Sequence, residues 1–536
     1  DHTRTGFNAH TVLGILGHSL DAYNQVCTLL TRGAFMRVSD VADAFTLIPM
    51  HPMIWAFMLF RWFRDHSSAE DSHLFVHVFG DFGTRGMPGT FKLILVDCIV
   101  QMARSEFVLT LPLPVYVDDA AMIGHSSSVV DAEMERLQGW TAEYCGVEWK
   151  RPKDRLAAQL YIGFVWDSRQ FSISLEERKL FQYLDVLLSA GHARVLGLHE
   201  RQSLAGKMER CIRTLPPGAA CLLTNCYALM HGLTLPWHLR RTTKGERRDY
   251  TFVHDLMLLN LGKGYYRYDD FAEAPAVQSD AMTCRARSGG GWVSADGMYD
   301  HFVYGSSASK KPIDYIEGDT VLRACSDLSA KWYKKMVPFG IDNMAFERSA
   351  AKGRSAAARL NDLLRGLFVL QVKFTFIISP YWLSSADNYL ADLLSRGKID
   401  EFLNAIHGSG FLVPGAVLYA RPGAGRVVTL ADNPYHDAAA SLREFISRES
   451  LRGETTLRDA SRCVGSSVFP AQTRDGETTS RNRATLHLRG AGGTGKSPAR
   501  RADHDTQASS IHADRTSIFH GLPWGLVFVA RTGLPR

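Results

Sequence analysis

The sequence has few cysteines for its length, and no two of them form a CxxC pair. Nine cysteines occur among 536 residues, which is an odd number. This usage argues against a zinc ribbon, which needs paired thiolates, and against a secreted framework of disulfides. We therefore expect reduced thiols and an intracellular protein, in the cytoplasm or the nucleus.

Long hydrophobic runs are also absent. Even the apolar stretch LFVLQVKFTFII is interrupted by Gln371 and Lys373, so no segment offers the ~20 apolar residues that span a bilayer. No secretory signal is found at the beginning of the chain, and no membrane partner is expected. Because the chain starts with Asp1 rather than Met, we expect a fragment of a longer reading frame.

The chain does contain enough apolar material for a large core, with 46% hydrophobic and 10% aromatic residues. A chain of 536 residues is long enough for several domains. The formal net charge is +6, a mild basic excess that permits a polyanionic partner without requiring one.

The pattern of apolar residues divides the chain into four parts. Residues 1–170 alternate short strand-like and helical segments, residues 171–268 are mostly helical in pattern, and residues 269–400 form a second unit of strands and helices. Residues 401–536 form a C-terminal extension, most of which we expect to be disordered, because from about residue 435 onward the composition shifts to Arg, Ser, Thr, Gly and Asp. The predicted class is α+β.

Two adjacent acids, Asp118 and Asp119, lie at the centre of the apolar stretch LPVYVDDAAMIG. Strand, acidic pair and strand form the pattern of a tight β-hairpin with the acids at its turn. Turn chemistry alone would explain aspartates at such a position, but the apolar flanks place these carboxylates on a buried scaffold. Two carboxylates this close repel each other unless cations neutralise them, so a divalent metal site is the economical interpretation.

Asp40 follows the strand-like segment FMRVS and supplies an acid from another part of the chain. Taken alone, Asp40 could be the N-cap of a helix. Together with Asp118 and Asp119 it makes a carboxylate trio of the type that holds two Mg²⁺ ions about 3.5–4 Å apart.

At this point the chain resembles a retroelement reverse transcriptase. Five motifs occur in that family's order: DVADAFTLIPMHP, FGTRGMPGTF, YVDD, GVEWKRPK and YIGFVWD. The resemblance implies a right-hand polymerase, with truncated fingers and the palm in residues 1–170 and the thumb and connection in residues 171–268. It also implies that Asp40, Asp118 and Asp119 hold two Mg²⁺ or Mn²⁺ ions.

The resemblance assigns further residues to the nucleotide and to the nucleic acid. Nucleotide contacts would come from Asp43, Ala44, Phe45, Phe82, Gly83 and Lys153. Phe45 would exclude a 2′-hydroxyl, with an ordinary core phenylalanine as the alternative, and the alternative for Lys153 is a solvated lysine. The segment RRTTKGERR, predicted to be a basic loop, would grip the duplex backbone through Arg240, Arg241, Lys244, Arg247 and Arg248.

A second set of acids, Asp280, Glu317, Asp342 and Asp392, lies in residues 269–400. Their order resembles an RNase H domain: Asp on the first strand, Glu on the first helix, Asp-Asn after a later strand, and Asp in the ending NYLADLLSR. The resemblance implies a second pair of metal ions and hydrolysis of RNA in RNA–DNA hybrids. Expected partners are an RNA or DNA template-primer and dNTPs, and the sequence does not indicate an oligomeric state.

The order of polymerase before RNase H resembles retrotransposons of the long-terminal-repeat class or the DIRS type. A decayed element product that binds nucleic acid without catalysis stays open as an alternative. An RNA-templated RNA polymerase shares the palm chemistry, but its usual Gly-Asp-Asp hairpin is absent. The stretch GAGGTGKS matches a P-loop, but Pro498 follows at once and RATLHLR is a poor buried strand, so an ATPase is disfavoured.

Overall fold

Five β-sheets and the helices between them make up the described part of the chain. This computed structural model describes residues 21–430 except 64–71, 82–83, 85, 151–157, 261, 285–286 and 307, together with residue 444. The mixture of helices and strands confirms the predicted α+β class. No helix in these ranges is long and apolar enough to cross a membrane.

The N-terminal region, residues 21–175, contains short strands and one long helix. Its elements are α1 (Ala22–Leu29), β1 (Phe35–Asp40), α2 (Pro52–Trp55), β2 (Leu59–Phe63), β3 (Ser72–Val76), α3 (Met87–Lys92), α4 (Gln101–Ser105), β4 (Val115–Tyr116), β5 (Asp119–Gly124), α5 (Ser127–Cys145), β6 (Gln159–Tyr161), β7 (Phe164–Asp167) and β8 (Ser172–Leu175). A π-helix, Leu93–Val100, joins α3 to α4, and a 3₁₀ turn, Ala44–Leu47, follows β1. The first sheet has the order β1-β5-β4, with antiparallel pairs.

Strand β5 lies at the centre of the first sheet because it is apolar on both faces. Ala120 and Met122 pack with the buried residues of α5, whereas Ala121 and Ile123 pack into the main hydrophobic cluster on the opposite side. Side chains alternate between the two faces of a strand, so a continuous apolar run can fill two packing layers. The scaffold behind the acidic pair is therefore buried from both sides.

The helical region, residues 176–265, follows the predicted helical pattern. Its elements are α6 (Glu177–His192), β9 (Val195–Gly197), α7 (Leu198–Ile212), α8 (Thr224–Met230), β10 (Leu239–Arg241), α9 (Lys244–Leu259) and β11 (Lys263–Tyr265). The segment RRTTKGERR is not a loop as predicted, but the end of β10 and the beginning of α9. Thr243 makes the difference, because its side chain accepts a hydrogen bond from the Glu246 backbone N–H and caps α9.

The C-terminal region contains an eight-stranded sheet with helices packed on it. Its elements are β12 (Ala272–Glu273), β13 (Val277–Thr283), β14 (Ser288–Ser294), β15 (Met298–Tyr304), α10 (Ile313–Leu328), β16 (Lys335–Ile341), α11 (Met344–Lys352), α12 (Ala358–Phe374), β17 (Ile377–Trp382), α13 (Tyr389–Ser395), α14 (Ile399–Ile406), β18 (Tyr419–Ala420) and β19 (Val427–Val428). Strands β13, β14 and β15 are antiparallel neighbours. Strand β16 runs parallel to β13 and to β17.

Residues 401–430, assigned by the sequence to the C-terminal extension, belong to this sheet. Strands β18 and β19 pair in parallel with β15 and cover its otherwise open edge. Arg426 forms a 2.8 Å ion pair with the buried Asp300 of β15. The boundary at residue 400 therefore falls inside a folded unit. The rest of the extension, except residue 444, lies outside the described residues, and so does the P-loop match GAGGTGKS.

Two candidate carboxylate sites

Asp40 and Asp119 face each other across the first sheet. The antiparallel register of β1 and β5 sets Asp40 opposite Asp119, and the Val41 backbone N–H donates to the Asp118 carbonyl oxygen at 2.8 Å. The Cα atoms of residues directly opposite in such a pair lie about 4.5–5.5 Å apart. Asp40 is thus brought next to the adjacent pair Asp118 and Asp119 at one end of the sheet, while the role of these acids as metal ligands stays a prediction.

The turn that carries the two adjacent acids is strained. Val117 has φ 59°, in the left-handed region that β-branched residues rarely adopt. The strain arises because Tyr116 pairs with Asp119, which leaves only Val117 and Asp118 for the turn. Two-residue hairpin turns favour a positive φ at their first residue, which here is Val117. Such a conformation costs about 1–3 kcal/mol, and strained residues of this kind cluster at functional sites.

Asp43, Ala44 and Phe45 lie in the turn that follows β1. Asp43 is exposed with φ 46°, whereas Ala44 and Phe45 are buried. Phe45 is 5% exposed and makes an edge-to-face contact with Phe91 at a centroid distance of 6.0 Å. The structure therefore gives Phe45 the surroundings of a core residue. The other proposed nucleotide contacts, Phe82, Gly83 and Lys153, lie outside the described residues.

The five basic residues at the β10–α9 junction differ in their exposure. Arg240 donates hydrogen bonds to two backbone carbonyls, and Arg247 donates to a threonine hydroxyl at 2.9 Å. Arg248 is half-buried, while Arg241 and Lys244 are exposed. The guanidinium groups of Arg240 and Arg247 therefore support the junction itself, and Arg241 and Lys244 present their charge to solvent.

The four acids of the C-terminal region come from four different elements. Asp280 lies on β13, Glu317 on α10, Asp342 directly after β16, and Asp392 on α13. Asp280 and Asp342 are close enough that the ionisation of each affects the pKa of the other. The charges of Asp280 and Asp342 also act on Glu317, and the charge of Asp392 acts on both aspartates. The structure thus brings the four acids into one neighbourhood.

Burial and mutual repulsion raise the pKa values in this C-terminal site. Burial, followed by the charges of Asp342 and Asp392, raises the pKa of Asp280 to about 7, and burial with the charges of Asp342 and Asp280 raises the pKa of Glu317 to about 9. Burial also raises the pKa of Asp342. Within the described chain, one buried oxygen of Glu317 (Oε2) and one of Asp342 (Oδ1) have no hydrogen-bond partner. Such unsatisfied oxygens fit a site that would accept cations.

Ser395 is a site residue that the sequence reasoning missed. Its side chain is fully buried, and its hydroxyl donates to Oδ2 of Asp280 at 2.5 Å. Ser395 lies three positions after Asp392, on the same face of α13, which is the signal that NYLADLLSR carried. Asp392 itself is partly exposed and forms a 2.7 Å ion pair with Arg396.

In the part of the chain that the structure describes, no three His, Cys, Asp or Glu side chains are arranged so that they could hold a metal ion. In the C-terminal site, Asp392 forms an ion pair with Arg396, and Asp280 accepts a hydrogen bond from Ser395. Carboxylates without cations relieve their repulsion by such hydrogen bonds and counterions. Metal binding at either site therefore remains a proposal.

No family model matches the chain, and no curated protein sequence matches it. Among solved structures, it is similar to a foamy viral protease-reverse transcriptase in complex with dsDNA. The identity is 14% and the TM-score 0.34, and the match covers 69% of this chain and 71% of that chain. Likeness at this level carries no argument about function, which has to come from this chain's own residues.

Proposed function

We propose that the chain is an RNA- and DNA-templated DNA polymerase with an RNase H-like site for hydrolysis of RNA in hybrids, as in reverse transcriptases of retrotransposons. The observation that carries the proposal is the strand register that sets Asp40 opposite Asp119 beside a strained two-residue hairpin. Its substrates would be dNTPs and an RNA or DNA template-primer.

In the polymerase site, Asp40, Asp118 and Asp119 would hold two Mg²⁺ or Mn²⁺ ions, for which carboxylate oxygens are suitable ligands. When bound, the ions would neutralise charge on the attacking hydroxyl and the departing pyrophosphate. The protein's own part is positioning. The Val117 turn fixes two of the acids, Phe45 limits the space beneath the sugar, and exposed cations such as Arg241 hold the nucleic-acid backbone without reading its sequence.

In the C-terminal site, Asp280, Glu317, Asp342 and Asp392 would hold a second pair of ions. The buried oxygens of Glu317 and Asp342 that have no hydrogen-bond partner in the described chain support this assignment, because bound cations would satisfy them. When bound, these ions would supply an activated water for phosphodiester hydrolysis. Ser395 would keep the Asp280 carboxylate in place during the reaction.

Primer extension tests the polymerase proposal most directly. The full chain would be incubated with dNTPs and Mg²⁺ or Mn²⁺ on a primed poly(rA) template and on a primed DNA template. We expect extension on both, and its loss in Asp119→Asn but not in Asp97→Asn, which removes an exposed acid elsewhere in the N-terminal region.

A nucleic-acid-binding protein without catalysis is the second candidate. It is favoured by the finding that no metal-holding group is preformed in the described residues. Tight binding of template-primer without extension under any of these conditions would support this candidate and remove the polymerase proposal.

A further inference from the structure

A cavity lies at the opposite end of β1 from Asp40. It has a volume of about 230 Å³ and is bounded by the start of β1, the start of α5 and the β6–β7 strand pair. Phe35, in its lining, pairs with Gly124, whereas Asp40 pairs with Asp119. At about 3.3 Å per residue, Phe35 and Asp40 are separated by roughly 16 Å along the strand. The cavity is thus distinct from the proposed polymerase site.

The cavity lining includes a buried hydrogen-bond acceptor that the described residues do not satisfy. Gln159 is 5% exposed, and its Oε1 has no donor within the described chain. Its backbone is fixed in β6 by pairing with Trp166, and both residues line the cavity. Buried amide oxygens without a partner are rare in folded proteins. An N–H or O–H group of a molecule in the cavity would satisfy this oxygen.

The charges around the cavity favour an anion. Arg37, Arg169 and Asp131 are among the residues that line it, with Arg169 exposed at its surface. Arg37 Nε lies 3.5 Å from Asp131 Oδ1, which leaves Arg169 as the positive charge in excess. Helix α5 begins at Ser127 in the lining, and its N-cap, Ser126, makes no side-chain capping hydrogen bond. Helix N-termini attract negative groups through their N–H donors.

We propose that this cavity binds a small organic anion, a phosphate monoester or a carboxylate, that also carries an N–H or O–H donor. The anionic group would lie between Arg169 and the beginning of α5, and the donor would reach Gln159. The apolar part of the molecule would contact Trp166 and Val130, both buried in the lining. The volume lies just below the ~300–1,000 Å³ of common ligand pockets, so the molecule has to be small.

Calorimetric titration of the full chain tests the proposal. The probes are inorganic phosphate, the four deoxynucleoside 5′-monophosphates, N-acetylglutamate, and uncharged deoxynucleosides as controls. We expect saturable binding of one molecule of an organic anion and a higher Tm in its presence, because it binds the native state alone. EDTA is present throughout, and Asp119→Asn should bind like the parent chain, which separates this site from the polymerase proposal.

Two variants remove the proposed contacts. Arg169→Gln and Gln159→Met should each weaken binding about tenfold, since each deletes a hydrogen bond that involves a charged or buried group. The matched control is Arg178→Gln, an exposed arginine on α6 that removes the same charge away from the cavity. If circular dichroism shows that Gln159→Met does not fold, the binding affinity of Arg169→Gln, a change at an exposed residue, tests the proposal alone.

Equal weakening by Arg169→Gln and Arg178→Gln would show unspecific attraction of anions and overturn the proposal. So would the absence of saturable binding by every anionic probe, which would leave water as the occupant of the cavity. Binding of the uncharged deoxynucleosides as tightly as their monophosphates would show that the cations have no part in recognition and would also overturn it.

Discussion

Arg365 and Asp249 form a buried ion pair that joins helix α12 to helix α9. Nη2 of Arg365 lies 3.0 Å from Oδ2 of Asp249, and the two side chains are 3% and 2% exposed. Thr224 accepts a further hydrogen bond from Arg365, and Asn225 donates one to Asp249. The C-terminal region is therefore held to the helical region by a satisfied polar network as well as by a shared apolar core.

Arg365→Met should lower the free energy of unfolding by about 3–5 kcal/mol, because it leaves the buried carboxylate of Asp249 without its charged partner. The matched control is Arg359→Met on the same helix, whose ion pair with Asp314 leaves Arg359 47% exposed. Removing an exposed pair of this type changes stability by at most about 1 kcal/mol. Urea unfolding measures both variants, and equal losses would contradict the buried character of the Arg365 pair.

Without divalent cations, the protein should lose stability as the pH rises. The pKa of Asp280 is raised to about 7 and that of Glu317 to about 9, in both cases first by burial. A carboxyl group with a raised folded-state pKa binds its proton more tightly in the folded than in the unfolded chain. Its stabilising contribution is therefore present below the unfolded pKa, about 4, and is lost as the pH rises through the folded value.

Urea unfolding in EDTA across this pH range checks the prediction. The free energy of unfolding should fall by up to about 1.4 kcal/mol per pH unit for each group, and Mg²⁺ should restore most of the loss. Asp280→Asn should reduce the slope, because the amide does not titrate. A free energy of unfolding that is the same at low and high pH in EDTA would contradict the raised pKa values.

Asp342→Asn should abolish cleavage of RNA in an RNA–DNA hybrid and leave DNA synthesis unchanged. Asp342 belongs to the C-terminal site, whereas Asp40 and Asp119 lie on a separate sheet, and sites without shared partners behave independently. The control is Asp296→Asn, a partly exposed acid of the same region, which should keep both activities. Surviving cleavage would show that Asp342 is not a metal ligand, and lost synthesis would show that the shared core couples the two sites.

Phe45→Ala should raise ribonucleotide incorporation relative to deoxyribonucleotide incorporation, with a loss of discrimination of about 1–3 kcal/mol. The variant should also be less stable, because the Phe45 ring packs on Phe91 in a buried cluster. Phe91→Ala separates the two effects, since it removes the neighbouring ring and should destabilise the protein without changing sugar choice. Unchanged discrimination in Phe45→Ala, measured by primer extension with both nucleotide types, would leave Phe45 as a core residue only.

Local patterns were enough to predict the hairpin and its acids. The apolar run Ala120–Ile123 after an acidic pair indicates a buried strand entered through a turn, and the structure has this strand as β5. The pairing of Asp40 with Asp119 is not local, and the sequence indicated it only through the requirement that a metal site needs ligands from separate strands.

Features that depend on distant contacts were not predictable in the same way. Residues 401–430 contain five glycines among many apolar residues, and they are ordered because Phe402 and Ile406 pack into a buried cluster and β15 offers an open edge for pairing. Asp300 also offers a partner for Arg426. Ser395 reads in the sequence as an ordinary polar residue at the end of a helix. Only the packing of α13 against β13 brings its hydroxyl to Asp280. Thr243 did carry a readable signal, since Thr-x-x-Glu is a capping pattern within the predicted loop.

Ser395→Ala should slow hybrid cleavage and move the acidic limb of its pH–rate profile upward, by about one pH unit, while DNA synthesis stays unchanged. The Ser395 hydroxyl donates to Asp280 and lowers the pKa of that carboxyl, so its removal should raise this pKa and reduce the ionised fraction at neutral pH. The control is Ser384→Ala, which removes an exposed hydroxyl bonded to Asp387 in the loop before α13. A reduced rate with an unshifted profile would mean that Ser395 only supports packing, because loss of packing alone would not change the ionisation of Asp280.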